Sequence, residues 1–124
     1  MAKRVLVVDD HPPTVQLIRT ALEGMGLEVE SAGNGAEGLL AIQQRPPDLV
    51  ILDVMMPVMD GFQTMQVLRS DAKTENLPIL LLTARSADAD IARGWSSGAS
   101  CYLTKPFQLA ELASVVKRML GEPG

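Results

Sequence analysis

Apolar residues gather into five short runs along the chain, at 5–8, 27–31, 49–52, 79–82 and 100–103. Between the runs they recur at helical spacing. Val15, Ile18, Leu22 and Met25 fall on one face of a first helix; Leu109, Leu112, Val115 (with Val116) and Met119 do the same near the C-terminus. Asn34, with Glu37 three residues on, is a capping-box-like start for a second helix, and Pro46-Pro47 ends it. Gly61-Phe62 opens a third helix carrying Met65 and Leu68, and Asn76-Leu77-Pro78 leads into the fourth run. A further helix, fourth in order, is expected around Ala87–Ser97. Its Gly94, Ser96 and Ser97 are poor helix formers.

Strands that alternate with helices make parallel βαβ units. The runs at 5–8, 49–52 and 79–82 are apolar throughout, as expected of strands covered by helices on both faces. Leu27-Glu28-Val29-Glu30 alternates instead, which marks an edge strand. The pattern predicts an α/β fold: a doubly wound, five-stranded parallel sheet of order 2-1-3-4-5. Ligands of such sheets bind beyond the C-terminal strand ends where the winding reverses, here between the first and third strands.

Composition narrows the picture. A chain of 124 residues, 47% of them apolar, supports one core and one domain, expected over residues 1–120, with Gly121-Glu122-Pro123-Gly124 as a tail or the start of a linker. No run approaches a membrane span, and Val5–Val8 is too short for the apolar region of a signal peptide. Cys101 is the one cysteine, so no internal disulfide forms, in keeping with a reducing cytoplasm; it reads as a small buried hydrophobe. A net charge of −4 gives no basic field for nucleic acid.

The residues that leave each strand carry the chemistry. The first strand ends in Asp9-Asp10, the third in Asp53, the fourth in Thr83-Ala84 and the fifth in Thr104-Lys105-Pro106. Three carboxylates, a hydroxyl and an ammonium therefore converge on one end of the sheet. Crowded carboxylates repel, and a hard divalent cation such as Mg²⁺ relieves that repulsion with oxygen ligands. The set is too small for a dedicated calcium cage, and without further Cys or His it does not suit zinc. A hydroxyl and an ammonium beside a metal-bound carboxylate suit phosphoryl transfer, in which an aspartate can be the nucleophile. Asp53, at the switch point, is the candidate. A cis Lys105–Pro106 bond would aim the ammonium inward.

"VLVVDD" at 5–10, "LDVMMPVMDG" at 52–61, "TA" at 83–84 and "YLTKPF" at 102–107 together resemble the receiver domain of two-component response regulators, of the chemotaxis-regulator-like type with a flavodoxin-like fold. The resemblance runs from Lys3 to about Leu120. It implies that Asp53 accepts a phosphoryl group from a phosphohistidine of a sensor histidine kinase or phosphotransfer protein. It implies Mg²⁺ (or Mn²⁺) bound by Asp10, Asp53 and the backbone carbonyl of Met55, with Asp9 acting through metal-bound water. Lys105 would pair with the carboxylate and then the phosphate, and Thr83 would move to hydrogen-bond the phosphate. Tyr102 matches the aromatic switch position. Phosphorylation would then reshape the face made by the fourth helix, fifth strand and fifth helix, to control a downstream partner or a fused output domain. The same face is a candidate homodimer surface. The resemblance implies a cytoplasmic phospho-acceptor that assists its own phosphorylation and dephosphorylation rather than a conventional enzyme, with no direct contact to nucleic acid or membrane.

Rival readings account for fewer residues. Gly33-Asn34-Gly35-Ala36-Glu37-Gly38 is a literal GxGxxG, and Asp53 follows Gly33 by 20 residues, where a ribose-binding acid could sit. That reading leaves Asp9, Asp10, Thr83 and Lys105 without a task; the alternative is a polar turn with a helix cap. An aspartyl-nucleophile phosphatase commonly has a second acid two residues on, where this chain has Met55, and no substrate pocket is apparent. His11 is expected to start an exposed loop whose Pro12-Pro13 sets the first helix. Trp95 is either a packing residue or a partner contact. Met55 is either a loop residue or a shield for the phosphorylation pocket, and Arg85 either a solvated helix start or a neighbour of Met55.

Overall fold

The computed structural model describes residues 2–56, 58–84 and 98–121. Pro57 and the segment 85–97, with Arg85, Trp95 and the helix expected there, lie outside the described residues. Five parallel strands are β1 (Arg4–Val8), β2 (Glu28–Ala32), β3 (Leu49–Asp53), β4 (Ile79–Ala84) and β5 (Cys101–Lys105). They form one sheet of order β2-β1-β3-β4-β5, as the alternation of runs predicts. Four helices are described: α1 (Pro12–Glu23), α2 (Gly35–Gln44), α3 (Gly61–Ser70) and α4 (Leu109–Met119), the last being the expected fifth helix. The sequence pattern places the starts of β2 and β5 one residue early and misses the last residue or two of β2 to β5. Apolar runs mark burial, whereas ladder hydrogen bonds continue into polar residues.

The pleat sends alternate residues to opposite layers. Val5, Val7, Leu49, Ile51, Leu80, Leu82 and Leu103 pack against Ile18 and Leu22 of α1 and Leu112, Val115 and Val116 of α4. Leu6, Val8, Val50, Leu52, Ile79 and Leu81 pack against Ile42 of α2 and Phe62, Met65 and Leu68 of α3. All five residues of β3 are buried, which is why its sequence is apolar without alternation. β2 has exposed Glu28 and Glu30 and is the edge. Arg19 of α1 covers that edge, donating to the Val29 carbonyl at 2.9 Å and the Ser31 hydroxyl at 3.2 Å. A charged edge with an occupied carbonyl is a poor template for pairing with another chain.

Local chemistry sets the helix ends. His11 is the exposed N-cap of α1, and Pro12 and Pro13 occupy its first turn, where a missing N–H is harmless. The Asn34 side chain accepts from the Glu37 N–H at 2.9 Å and donates to the Glu37 carboxylate at 2.8 Å, half of the capping box. The complete box belongs to α3: Asp60 accepts from the Gln63 N–H at 2.8 Å, and the Gln63 side chain accepts from the Asp60 N–H at 3.0 Å. Lys3 donates to the Leu120 carbonyl past the end of α4, tying the two ends of the domain together.

The GxGxxG stretch is explained by packing. A Cβ on Gly35 would lie 2.0 Å from the Thr64 hydroxyl and 2.7 Å from the Met59 carbonyl, and one on Gly38 would lie 3.0 Å from Val8. These glycines let α2 close onto α3 and β1. Gly33, the first of the three, has no such neighbour; its nearest contact would be Glu37 at 3.6 Å. Gly35→Ala is expected to lower stability by about 1–3 kcal/mol, as overpacking does. Gly33→Ala should cost distinctly less in the same urea titration.

Candidate functional site

β1 and β3 end side by side, and β5, one strand beyond β4, ends at the same edge of the sheet, so that side chains at these three ends meet. Val8 pairs with Leu52, so Asp9 and Asp53 leave adjacent strands at one level. One carboxylate oxygen from each of Asp9, Asp10 and Asp53 can be chosen so that all three lie within 4.8 Å of one another. Asp9 and Asp53 are buried and Asp10 is exposed. Asp53 continues the Leu49–Ile51 row and Lys105 the Cys101–Leu103 row, both on the α1/α4 side. The Lys105 ammonium lies 3.2 Å from the Asp53 carboxylate and 3.3 Å from that of Asp9. The Lys105–Pro106 peptide is cis, as expected.

Both oxygens of Asp9 have partners. Oδ1 accepts from the His11 N–H at 2.9 Å and Oδ2 faces Lys105. Asp10, at the rim, is exposed. Burial, then the charge of Asp9, raises the Asp53 pKa; Lys105 and the Met55 backbone N–H pull it down without reversing the shift. Burial alone would lower the Lys105 pKa, but Asp53 and Asp9 more than offset it, and the result is raised. The carboxylates thus remain short of positive charge even with Lys105 in place. That shortage, with all-oxygen donors and an exposed side, fits a hard divalent cation.

Thr83 and Tyr102 stand on the opposite face. Thr83 continues the Ile79–Leu81 row, and Leu81 pairs with Tyr102, which packs against the α2/α3 core. Thr83 is fully buried, and its hydroxyl has no hydrogen-bond partner among the described residues. Such an orphan is costly unless another state satisfies it. The sheet therefore brings Asp9, Asp10, Asp53 and Lys105 together and places Thr83 with Tyr102 behind them.

A cleft of about 530 Å³ lies over Asp53 and Lys105, lined by Thr14, Leu17, Met55, Pro106, Phe107 and Leu109. The sequence pattern shows no pocket. Its apolar walls come from α1, the loop after β3 and the start of α4, which only the fold brings together. Leu109, assigned by its spacing to the core face, is 37% exposed and lines this cleft. Leu17 is 57% exposed and lies off the apolar stripe of α1, which was the available sign of a surface role.

The family model for the response regulator receiver domain matches residues 5–117. The chain belongs to that family. It is 41% identical over 117 residues to the DNA-binding dual master transcriptional regulator RpaA of Synechocystis sp., covering 94% of this chain and 48% of the relative. The chain spans about half the length of the curated relatives it matches. The crystal structure of a putative response regulator from Chloroflexus aurantiacus superposes with a TM-score of 0.94 at 36% identity, covering 98% of this chain and all of that one. The receiver domain of the sensor histidine kinase PA1611 from Pseudomonas aeruginosa, with a magnesium ion coordinated in its active site cleft, gives 0.89 at 27% identity, with 98% and 100% coverage. The chain is thus a two-component receiver domain with a flavodoxin-like fold, a signalling module rather than a conventional enzyme. No helix among the described residues is long and apolar enough to cross a membrane.

The raised Asp53 pKa has a measurable consequence. The folded protein holds this proton more tightly than the unfolded chain does, so its contribution to stability falls as pH rises through the carboxylate range. Above that range the full penalty of the charge remains. Metal-free Asp53→Asn is expected to resist urea better than the wild type at pH 7. The difference should shrink as pH falls through the raised Asp53 pKa towards the ordinary carboxylate value, and level off below it.

Proposed function

We propose that Asp53 is the phosphoacceptor of this receiver and that its donor is a phosphohistidine on a sensor histidine kinase or phosphotransfer protein. The observation that carries this reading is the buried Asp53 carboxylate held 3.2 Å from Lys105 and crowded by Asp9 and Asp10. Asp10, Asp53 and the Met55 carbonyl are the proposed direct ligands of Mg²⁺ or Mn²⁺, with Asp9 acting through a water. When bound, the cation supplies charge neutralisation to the phosphoryl oxygens. Asp53, held at the end of a rigid strand, presents one oxygen to phosphorus; the bond from phosphorus to the imidazole nitrogen breaks as the acyl phosphate forms. Lys105 turns from the carboxylate to the new phosphate. The apolar cleft suits the donor's imidazole and the surface around it.

The orphaned Thr83 hydroxyl supports its role as the switch, because a phosphate on Asp53 would provide the missing acceptor. Tyr102, on the same face, would take the space that Thr83 leaves. The surface of β5 and α4, with the fourth helix expected from the sequence, would then control a downstream partner, a fused output domain or a second copy of the chain. The domain is assigned to residues 1–120, with 121–124 as a tail or linker, working in the cytoplasm without touching nucleic acid itself. Assistance to its own phosphorylation and dephosphorylation is part of the same proposal.

Acetyl phosphate with Mg²⁺ is expected to add one hydroxylamine-sensitive phosphoryl group, read by intact mass. Asp53→Asn should abolish the gain, and Lys105→Ala should slow it by about 10²-fold or more. Labelling that persists in Asp53→Asn, or proceeds without a divalent cation, would overturn the assignment.

A further inference from the structure

The chain has two asparagines, and one of them, Asn34, is followed by a glycine. Asn-Gly is the pair that most readily closes to a succinimide, because glycine puts no side chain in the way and leaves the backbone free to turn. The Gly35 amide nitrogen gives its proton to base and attacks Cγ of Asn34, and ammonia leaves. Water then opens the imide at either carbonyl. One opening gives aspartate; the other gives isoaspartate, whose backbone runs through the former side chain and is one carbon longer. Closure needs base at the Gly35 N–H, a nitrogen turned onto Cγ, and a side-chain amide free to meet it.

The fold withholds all three. Gly35 is buried, and its N–H donates to the Met59 carbonyl at 3.2 Å, so base does not reach it. Asn34 is extended, with φ −161° and ψ 174°, which keeps the Gly35 nitrogen out of the plane of the ring to be closed. The Asn34 amide is held at both ends: Oδ1 accepts from the Glu37 N–H at 2.9 Å, and Nδ2 donates to the Glu37 carboxylate at 2.8 Å. The isoaspartyl product has nowhere to go. Its extra backbone carbon would displace Gly35, where even a Cβ would lie 2.0 Å from the Thr64 hydroxyl and 2.7 Å from the Met59 carbonyl.

We propose that Asn34 is a latent deamidation site, protected while the chain is folded and released when it unfolds, and that its isoaspartyl product does not restore the contact between α2 and α3. Modification at this position is then a one-way record of past unfolding. The proposal stands on the start of α2 alone and does not depend on the receiver reading. Asp60-Gly61 has a similar arrangement, with Asp60 at ψ 176° and the Gly61 N–H held by the Val54 carbonyl at 3.0 Å. Isomerisation of an aspartate leaves the mass unchanged, whereas loss of the Asn34 amide is visible by mass.

The test incubates the protein at mildly alkaline pH, folded or in guanidinium chloride, and reads aspartate and isoaspartate at position 34 by peptide mapping. The folded wild type is expected to react at least about tenfold more slowly than the denatured chain, as for a backbone amide that exchanges only on opening. N34S keeps a capping oxygen and should form no isoaspartate at this position in either condition. E37A frees the Asn34 Nδ2; it should react faster than the wild type when folded and at the same rate in guanidinium chloride. After the denaturant is removed, chains with isoaspartate at position 34 should unfold at lower urea than N34D, whose backbone is normal. Equal rates in the folded and denatured wild type would overturn the protection. An E37A rate no faster than that of the folded wild type would overturn the part given to Glu37, and isoaspartyl chains as stable as N34D would overturn the loss of the helix contact.

Discussion

The carboxylates of Asp53 and Asp9 repel each other across a site from which water is largely excluded. Parallel pairing of β1 with β3 imposes that proximity, because Val8 and Leu52 share a register and each is followed by an aspartate. One ammonium, from Lys105, lies between the two acids and leaves the Asp53 pKa raised. The site is therefore built to be incomplete. A hard divalent cation at its exposed side, beside Asp10, would relieve the repulsion. A hydrophobic strand buried along its length gives Asp53 little freedom to relieve the repulsion by moving away.

The pleat divides the remaining work. Residues that meet the carboxylate and residues proposed to respond to it lie on opposite faces of one sheet, because Asp53 and Lys105 occupy one parity of their strands and Thr83 and Tyr102 the other. In the proposed reading, a change at Asp53 would pass to the far side through one short strand end. Among the described residues the buried Thr83 hydroxyl has no partner, so an acceptor that came within its reach would remove a desolvation cost.

Close backbone packing supports the reactive end. Gly35 and Gly38 draw α2 onto α3 and β1, and Gly61 draws the start of α3 against the carbonyl of Asp53. The loop between β3 and α3 is held from both sides by these approaches, which explains how the exposed Val58 is kept in a left-handed conformation. Gly35 and Gly38, two of the three glycines that could pass for a dinucleotide fingerprint, let the helix come near its neighbours.

Much of this was legible in the order of residues. Runs of apolar residues separated by helical spacing determine parallel βαβ units, and an uninterrupted run such as Leu49–Leu52 reports burial on both faces. The residues at the strand ends follow from that reading, because in a parallel sheet every C-terminal end points the same way; Asp9, Asp10, Asp53, Thr83 and Lys105 were found so. Tertiary structure alone decided the rest. Leu17, Phe107 and Leu109 come from segments far apart in sequence, and no local pattern says that they wall one cleft. Asn34 with Glu37 and Asp60 with Gln63 share the capping-box spacing, and only the folded side-chain geometry leaves the first half made and completes the second. The orphaned hydroxyl of Thr83 and the strain at Val58 are relations to surrounding atoms rather than properties of threonine or valine, so they exist only once the chain has closed around them.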